Sequence, residues 1–282
     1  MGGRLTKAPL EVPDRLEPEN PAELMETDIV EVTADPAAAA SSVFVDGIQS
    51  ATVVAYRSHR PVTLVMAGAG AVTGELLPVN HAETLELLCA RADMEWAEEN
   101  GCPTAIRCIS ENDSPSDVEQ AIGTALGQER DSLEVLVTSR LAGDDAWDLI
   151  GVDGGLAGRP ADPRIVGIVK STNTRLLSDE RVLWNLPAGH RSPAFKLPPN
   201  YGGADSAPRF SSYVRMRDAR NASWQTGLIR VEAYTQEALE KAAATVLAHR
   251  QPTATTDPRG DRHIAPIAHV EKWMRSRRPS YL

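Results

Sequence analysis

Two stretches of the sequence end an apolar, β-branched run with an aspartate followed by a glycine. The first is Val43–Gly47 (VFVDG) and the second is Leu149–Gly154 (LIGVDG). Both patterns are typical of a buried strand. A buried carboxylate is costly unless it is paired or binds a cation, so Asp46 and Asp153 are candidate ligands of one cation site. An Asp-Gly pair is also typical of a simple turn, and the spacing leaves both interpretations open.

A third candidate acid lies on a predicted helix between the two aspartates. The longest helical pattern runs from Ser116 to about Leu141, follows Pro115 and carries one apolar stripe with a break near Gly127. Glu134 lies beside this stripe and can lean towards a sheet, although a solvated helix acid is the simpler interpretation. Three such carboxylates suit Mn²⁺ or Mg²⁺. Two such ions can activate water and stabilise the leaving oxygen in phosphodiester cleavage.

Two further charged residues end predicted strands. Lys170 closes the apolar run Arg164–Lys170 and can balance charge in a transition state, or it can be an ordinary surface lysine. Glu232, near the end of the run Thr226–Tyr234, can be a fourth carboxylate of the site or the acid of an edge strand.

Composition narrows the function classes. The chain has 282 residues and a formal net charge of −10, which argues against a wide basic surface that would hold nucleic acid alone. Three cysteines without a CxxC pair predict a reducing cytoplasm. The chain contains no apolar run of membrane-spanning length and no GxxxxGK[ST] sequence. We therefore expect no membrane partner and no ATP-binding P-loop.

The elements that must position these residues alternate along the chain. Residues 1–40 are rich in Pro, Glu and Ala and predict a flexible or loosely packed arm, and residues 41–282 form the predicted main domain. Strands Val43–Asp46, Ala51–Arg57 and Pro61–Ala67 predict an antiparallel meander. Further helices are predicted at residues 81–100, at 236–250 and at the basic C-terminal end, and further strands at 102–109, 147–153, 164–170, 210–216 and 226–234.

Several segments together resemble the NurA nucleases, in a divergent bacterial branch. The matching segments, between about residues 43 and 278, are FVDGIQSATVVAY, RDSLEVLVTSRL, DLIGVDGGLAG, RIVGIVKSTNTRLL, LPAGHRSPAFKL, FSSYVRM, SWQTGLIRVEAY and DPRGDRHIAPIAHVEKWMRSR. The resemblance implies an α/β fold with an RNase H-like, Piwi-related core, in which a mixed central sheet is flanked by helices. It also implies a Mn²⁺- or Mg²⁺-dependent nuclease that acts on DNA.

The same resemblance implies site residues and partners. Asp46 and Asp153 would be the two strand acids, Glu134 the helix acid and His269 a late histidine near the metals. The implied partner is a HerA-type hexameric ATPase that docks on a homodimer and drives DNA through it. The task would be DNA repair by end resection or anti-phage defence, and the sequence does not distinguish these.

Departures from the family pattern leave alternatives. Glu95 also lies on a predicted helix between the two aspartates, and His263 competes with His269. Ile48 and Gly155 replace the small hydroxyl residues that usually follow each Asp-Gly pair. A second hypothesis is therefore a catalytically weak scaffold that keeps the RNase H-like fold and the dimer to organise the ATPase.

Overall fold

A mixed sheet with helices on both faces forms the centre of the protein. The computed structural model describes residues 22–100, 104–111, 114–170, 176–198, 201, 207–219, 223–250 and 262–279. The predicted α/β class, with a mixed central sheet flanked by helices, is confirmed. None of the helices in these ranges is long and apolar enough to cross a membrane.

The elements are numbered along the chain. The strands are β1 (Glu23–Leu24), β2 (Val30–Glu31), β3 (Ser42–Arg57), β4 (Arg60–Thr73), β5 (Pro78–Ala90), β6 (Ala105–Ser110), β7 (Leu149–Asp153), β8 (Ile165–Val169), β9 (His190–Arg191), β10 (Phe195–Lys196), β11 (Phe210–Arg215) and β12 (Leu228–Ala233). The helices are α1 (Pro36–Ala40), α2 (Met94–Asn100), α3 (Pro115–Ala142), α4 (Arg181–Trp184), α5 (Gln236–Ala248) and α6 (Ala265–Arg277).

The strand order brings the two Asp-Gly segments together. Within the described ranges, the sheet follows the order β1-β10-β11-β12-β8-β7-β3-β4-β5-β6, with β2 and β9 attached beside β11. The strands β3, β4 and β5 form an antiparallel meander, whereas β7 runs parallel to both β3 and β8. Val45 is in register with Val152, so the next residues, Asp46 and Asp153, lie at the same level of adjacent strands.

Helices cover opposite faces of this sheet. The apolar stripe of α3, including Val118 and Val137, packs on β3, β4 and β7 in one buried cluster. On the other face, α5 packs on β8, β11 and β12, and Met274 of α6 packs against Ile48 of β3. Since both faces of the central strands are covered, these strands are apolar on both sides.

The prediction of a helix over residues 81–100 is wrong in its first half. Residues 81–90 belong to β5, which pairs with β4 on one side and β6 on the other, and the α-helix begins only at Met94, after a 3₁₀ turn at Arg91–Asp93. Leu87 and Leu88 are both buried and contribute to clusters on opposite faces of the sheet. Pairing on both edges and burial on both faces outweigh the good helix propensity of this Glu- and Leu-rich segment.

The two strands predicted at residues 43–46 and 51–57 form one continuous strand, β3, of 16 residues. Gly47 is therefore a residue within a strand, not the turn that an Asp-Gly pair suggests. The helix α3 is continuous through Gly127, and its buried residues have a gap between Leu126 and Leu133, where the apolar stripe was predicted to break.

The predicted N-terminal arm is described in part. Residues 1–21 lie outside the described ranges, and so the boundary at residue 40 stays a prediction. Residues 22–40 contribute β1 and β2 to the sheet. Glu26 in this segment lies against Arg191 and also accepts a hydrogen bond from the Ala194 N–H at 3.0 Å.

Candidate active site

A cleft of about 850 Å³ opens where β3, β7 and β8 meet α3. Asp46, Glu134, Asp153 and Lys170 all line it. Four of the five predicted site residues therefore meet at one place, although they come from four elements far apart in the sequence.

Asp46 is buried in β3, and the protein offers its carboxylate little compensation. It is 7% exposed, and its Oδ1 accepts a hydrogen bond from the Gly47 N–H at 2.8 Å. Burial raises the pKa of Asp46 well above its usual range, the charge of Asp153 raises it further, and Lys170 opposes the effect. Asp46 thus favours a proton or a nearby cation.

Asp153 ends β7 beside Asp46 and carries one unsatisfied oxygen. Its Oδ2 lies 3.0 Å from Lys170 Nζ, which comes directly after β8. Its Oδ1 is buried and has no hydrogen-bond partner among the residues that the structure describes. The chain then turns at Gly154, whose φ of 91° favours glycine. This second Asp-Gly pair is therefore both a turn and part of the cleft.

Glu134 reaches the cleft from α3 because Gly47 has no side chain. A Cβ at position 47 would overlap the Glu134 Oε1 and come within 2.7 Å of Arg130 Cγ. Glu134 is 7% exposed and forms an ion pair with Arg159, while Arg130 Nε lies 3.6 Å from its Oε1. Burial raises the pKa of Glu134, and the charge and hydrogen bond of Arg159 oppose the rise. Its carboxylate already has two basic neighbours.

Arg159 is the main site residue that the sequence analysis missed. It ends the glycine-rich loop that follows Asp153, and its backbone oxygen accepts a hydrogen bond from the Tyr234 hydroxyl at 3.2 Å. The side chain lines the cleft and is only 8% exposed. A signal was present in the sequence: an arginine closes the run GGLAGR directly after a candidate catalytic acid.

The fold distinguishes between the alternative candidates for the helix acid and for the late histidine. Glu95 is exposed on α2 and is not among the residues that line the cleft, whereas Glu134 is. His269, on α6, is half-buried and likewise does not line the cleft, but His263 does. The geometry favours Glu134 over Glu95 and His263 over His269 as residues of this cleft.

Glu232 is neither a residue of the cleft nor the acid of an edge strand. It lies in β12, between β11 and β8, and is fully buried. Arg230 Nη1 lies 2.7 Å from its Oε1, Arg209 Nη1 donates to its Oε2 at 3.4 Å, and the Leu156 N–H donates to the same oxygen at 2.9 Å. Glu232 therefore holds the loop that carries Asp153 and Arg159.

The donor set fits a hard cation in part. Five carboxylates and three basic side chains line the cleft, which leaves an excess of negative charge. Asp46 and Asp153 follow a pair of residues in register on adjacent strands, and Asp153 Oδ1 has no hydrogen-bond partner among the described residues. Carboxylate oxygens of this kind are the ligands that Mg²⁺ and Mn²⁺ prefer. Across the described residues, however, no three His, Cys, Asp or Glu side chains are arranged to hold a metal ion. The four-ligand set with Glu134 and His269 stays a prediction.

Comparison with known proteins adds little to this geometry. No protein-family model matches the chain, and no curated protein sequence matches it. Among solved structures, the chain is similar to the crystal structure of an Endonuclease V from Bacillus subtilis, with a TM-score of 0.35 and 10% sequence identity over 87% of this chain and 86% of that chain. A likeness at this level carries no argument about function.

Proposed function

We propose that this protein is a metal-dependent nuclease that hydrolyses phosphodiester bonds of DNA. The observation that carries the proposal is the placement of Asp46 and Asp153 side by side in an open cleft, with too few protein partners for two carboxylates so close together. The resemblance to the NurA nucleases, which rests on the segments around both aspartates, points to the same chemistry.

The sheet supports an RNase H-like assignment. The order β5-β4-β3-β7-β8 consists of three antiparallel strands, to which two strands are added in parallel beside the first. The acids come from the first strand, the following long helix and the next parallel strand. We propose that this part of the sheet is the RNase H-like core that the resemblance implies.

The proposed roles follow from the contacts in the cleft. Asp46 and Asp153 would bind Mn²⁺ or Mg²⁺, and the predicted set adds Glu134, His269 and a second ion. The ion would supply Lewis acidity and an activated water. Lys170 Nζ lies 3.0 Å from Asp153, and this side chain would lie beside the scissile phosphate and stabilise its developing negative charge.

The proposed protein partners rest on the resemblance to the NurA nucleases. We propose a homodimer that works with a HerA-type hexameric ATPase in DNA end processing or anti-phage defence. The net charge of −10 supports a second protein that supplies part of the grip on DNA, because an acidic protein repels the phosphate backbone.

Cleavage of linear single- and double-stranded DNA in Mn²⁺, Mg²⁺ or EDTA tests the proposal. Asp153→Asn should lower the rate on the order of 10²–10³-fold, the range for loss of one electrostatic group from an active site. The matched control is Asp148→Asn, an exposed acid directly before the start of the same strand, which should keep full activity.

An inactive wild-type protein would be tested again with the ATPase and ATP. Cleavage that appears only then would indicate a nuclease gated by the translocase. Absence of cleavage in both experiments would contradict the nuclease proposal.

One observation favours the second candidate, a catalytically weak scaffold for the ATPase. Glu134 already has Arg159 and Arg130 as partners, and this pairing can replace a metal site with a structural ion pair. Assembly with the ATPase that is intact in both wild type and Asp153→Asn, without cleavage by either, would support the scaffold.

A further inference from the structure

Arg159 leaves a buried hydrogen-bond donor free in the wall of the cleft. The side chain is 8% exposed and contacts Glu134 through Nη2. Its Nη1 is buried and has no hydrogen-bond partner in the part of the chain that the structure describes. A buried donor without a partner costs free energy, so its retention in a polar cleft points to an absent acceptor.

The surrounding structure holds this guanidinium in place. The Tyr234 hydroxyl donates to the backbone oxygens of both Leu156 and Arg159, at 3.4 and 3.2 Å. The Leu156 N–H in turn donates to the buried Glu232. The loop is therefore fixed at both its middle and its end, and Glu134 orients the side chain. An arginine held in this way is suited to a planar, charge-assisted contact with a phosphate.

A second residue that lines the same cleft, Asp153, also has an unsatisfied polar atom. Asp153 Oδ1 is a buried acceptor without a partner among the described residues, and it lies in the same cleft as Arg159. A phosphodiester supplies an acceptor to the arginine, and a cation satisfies the aspartate. The two unsatisfied atoms thus correspond to the two components of one metal-bound phosphate.

We propose that Arg159 binds a phosphate of the nucleic acid and that Glu134 positions Arg159 instead of serving as a metal ligand. This inference rests on the proposed nuclease function and divides its cleft into two parts. Asp46 and Asp153 form the cation side, and Glu134 with Arg159 forms the phosphate side.

DNA binding without metal tests the role of Arg159. Fluorescence anisotropy of a labelled single-stranded oligonucleotide and its duplex would be measured in EDTA over a series of salt concentrations. Arg159→Gln should weaken binding about 10-fold or more and reduce the slope of log K against log[salt] by about 0.7 for the single strand and about 0.9 for the duplex.

The matched control is Arg181→Gln. Arg181 is an exposed arginine that pairs with Asp179 and does not line the cleft. The Arg181→Gln substitution removes the same charge from the protein, and its slope of log K against log[salt] should equal that of the wild type. A wild-type slope and affinity in Arg159→Gln would overturn the proposal.

Binding of Mn²⁺ tests the role of Glu134 independently of catalysis. Electron paramagnetic resonance titration of free Mn²⁺ should show that Glu134→Gln keeps the wild-type dissociation constant within about 3-fold, whereas Asp153→Asn weakens it on the order of 10–100-fold. An equal loss in both variants would make Glu134 a ligand and overturn the proposal.

A double variant controls for misfolding, and Mn²⁺ binding by the wild type distinguishes failure of this proposal from failure of the nuclease proposal. The double variant Glu134→Gln/Arg159→Gln removes both charges of the pair, leaves no unpaired buried ion, and should bind Mn²⁺ as Glu134→Gln does. A wild-type protein that binds no Mn²⁺ would overturn the nuclease function, and the titration in EDTA would then decide the role of Arg159 by itself.

Discussion

Two buried carboxylates, Glu232 and Asp46, differ in how far neighbouring groups of the protein compensate their negative charge. Glu232 is fully buried, lies close to two arginines and accepts a backbone hydrogen bond. Asp46 is nearly as buried, accepts a hydrogen bond from its neighbouring backbone N–H, and faces Asp153. Two arginines and a backbone N–H offset the charge of Glu232, whereas burial and the like charge of Asp153 raise the pKa of Asp46.

This difference separates an acid that the fold compensates from one that we propose as a cation ligand. Buried charges that serve stability are paired and hydrogen-bonded. A cleft that holds like charges close together and leaves polar atoms without partners lowers the stability of the native state, and a bound ligand can remove this cost. Burial alone would have placed Glu232 ahead of Asp46, and the two arginines beside Glu232 and the like charge beside Asp46 distinguish them.

The largest expected effect on stability is at Glu232. Glu232→Gln should lower the free energy of unfolding by about 3–5 kcal/mol, because Arg209 and Arg230 would remain buried without their anion. Urea denaturation measures the change, and Glu99→Gln, an exposed acid on α2, is the control with an expected change near zero. A loss as small as that of the control would show that solvent reaches the two arginines.

Mn²⁺ should stabilise the native state by binding at Asp46 and Asp153, which have few compensating protein partners. At a concentration about 100 times its dissociation constant, an ion that binds only the native state adds about 2.7 kcal/mol. Thermal denaturation with Mn²⁺ and with EDTA should show this gain in the wild type and its loss in Asp46→Asn. An equal gain in both would indicate a different ion site.

Gly47→Ala should disturb the cleft by displacing Glu134. The added Cβ would overlap Glu134 and Arg130, and overpacking of this kind costs about 1–3 kcal/mol. Gly127→Ala on α3 is the control, because nothing lies within 4 Å of its Cβ, and it should stabilise the helix by about 1 kcal/mol. The opposite signs of the two changes in urea denaturation check the prediction.

The smallest effect concerns the pH dependence of stability in EDTA. Since the native state raises the pKa of Asp46, it binds that proton more tightly than the unfolded state does. Its stabilising contribution is present below the ordinary value of 3.8 and is lost as pH rises through the raised pKa. The melting temperature of Asp46→Asn should therefore exceed that of the wild type at neutral pH.

The difference in melting temperature between Asp46→Asn and the wild type should shrink as the pH approaches 4. Asp148→Asn, which removes an exposed carboxylate that does not line the cleft, is measured beside it as the control. A constant difference between Asp46→Asn and the wild type would indicate that Asp46 is solvated in the native state.

The two Asp-Gly pairs show where prediction from residue patterns succeeds. Local hydrophobic patterns correctly predicted the β7 and β8 strands and the long α3, because each element buries a continuous apolar surface. They left a simple turn open at both pairs, yet Gly47 lies within a strand and makes room for Glu134, whereas Gly154 turns the chain. Ile48 packs against α6, and Gly155 lies over Glu232, so packing accounts for both differences from the pattern of the nucleases that the sequence resembles.

Residue types and local spacing were thus sufficient for most element positions and for naming Asp46, Glu134 and Asp153 as candidates, whereas the α/β class was an expectation from the resemblance. They did not predict the strand β5, whose two edges are paired by β4 and β6, or the contact between Arg159 and Glu134, which are 25 residues apart. Such pairings depend on strand order and on which charges become buried together. These are long-range consequences of folding, because a side chain acquires its partners only when the whole sheet has closed around it.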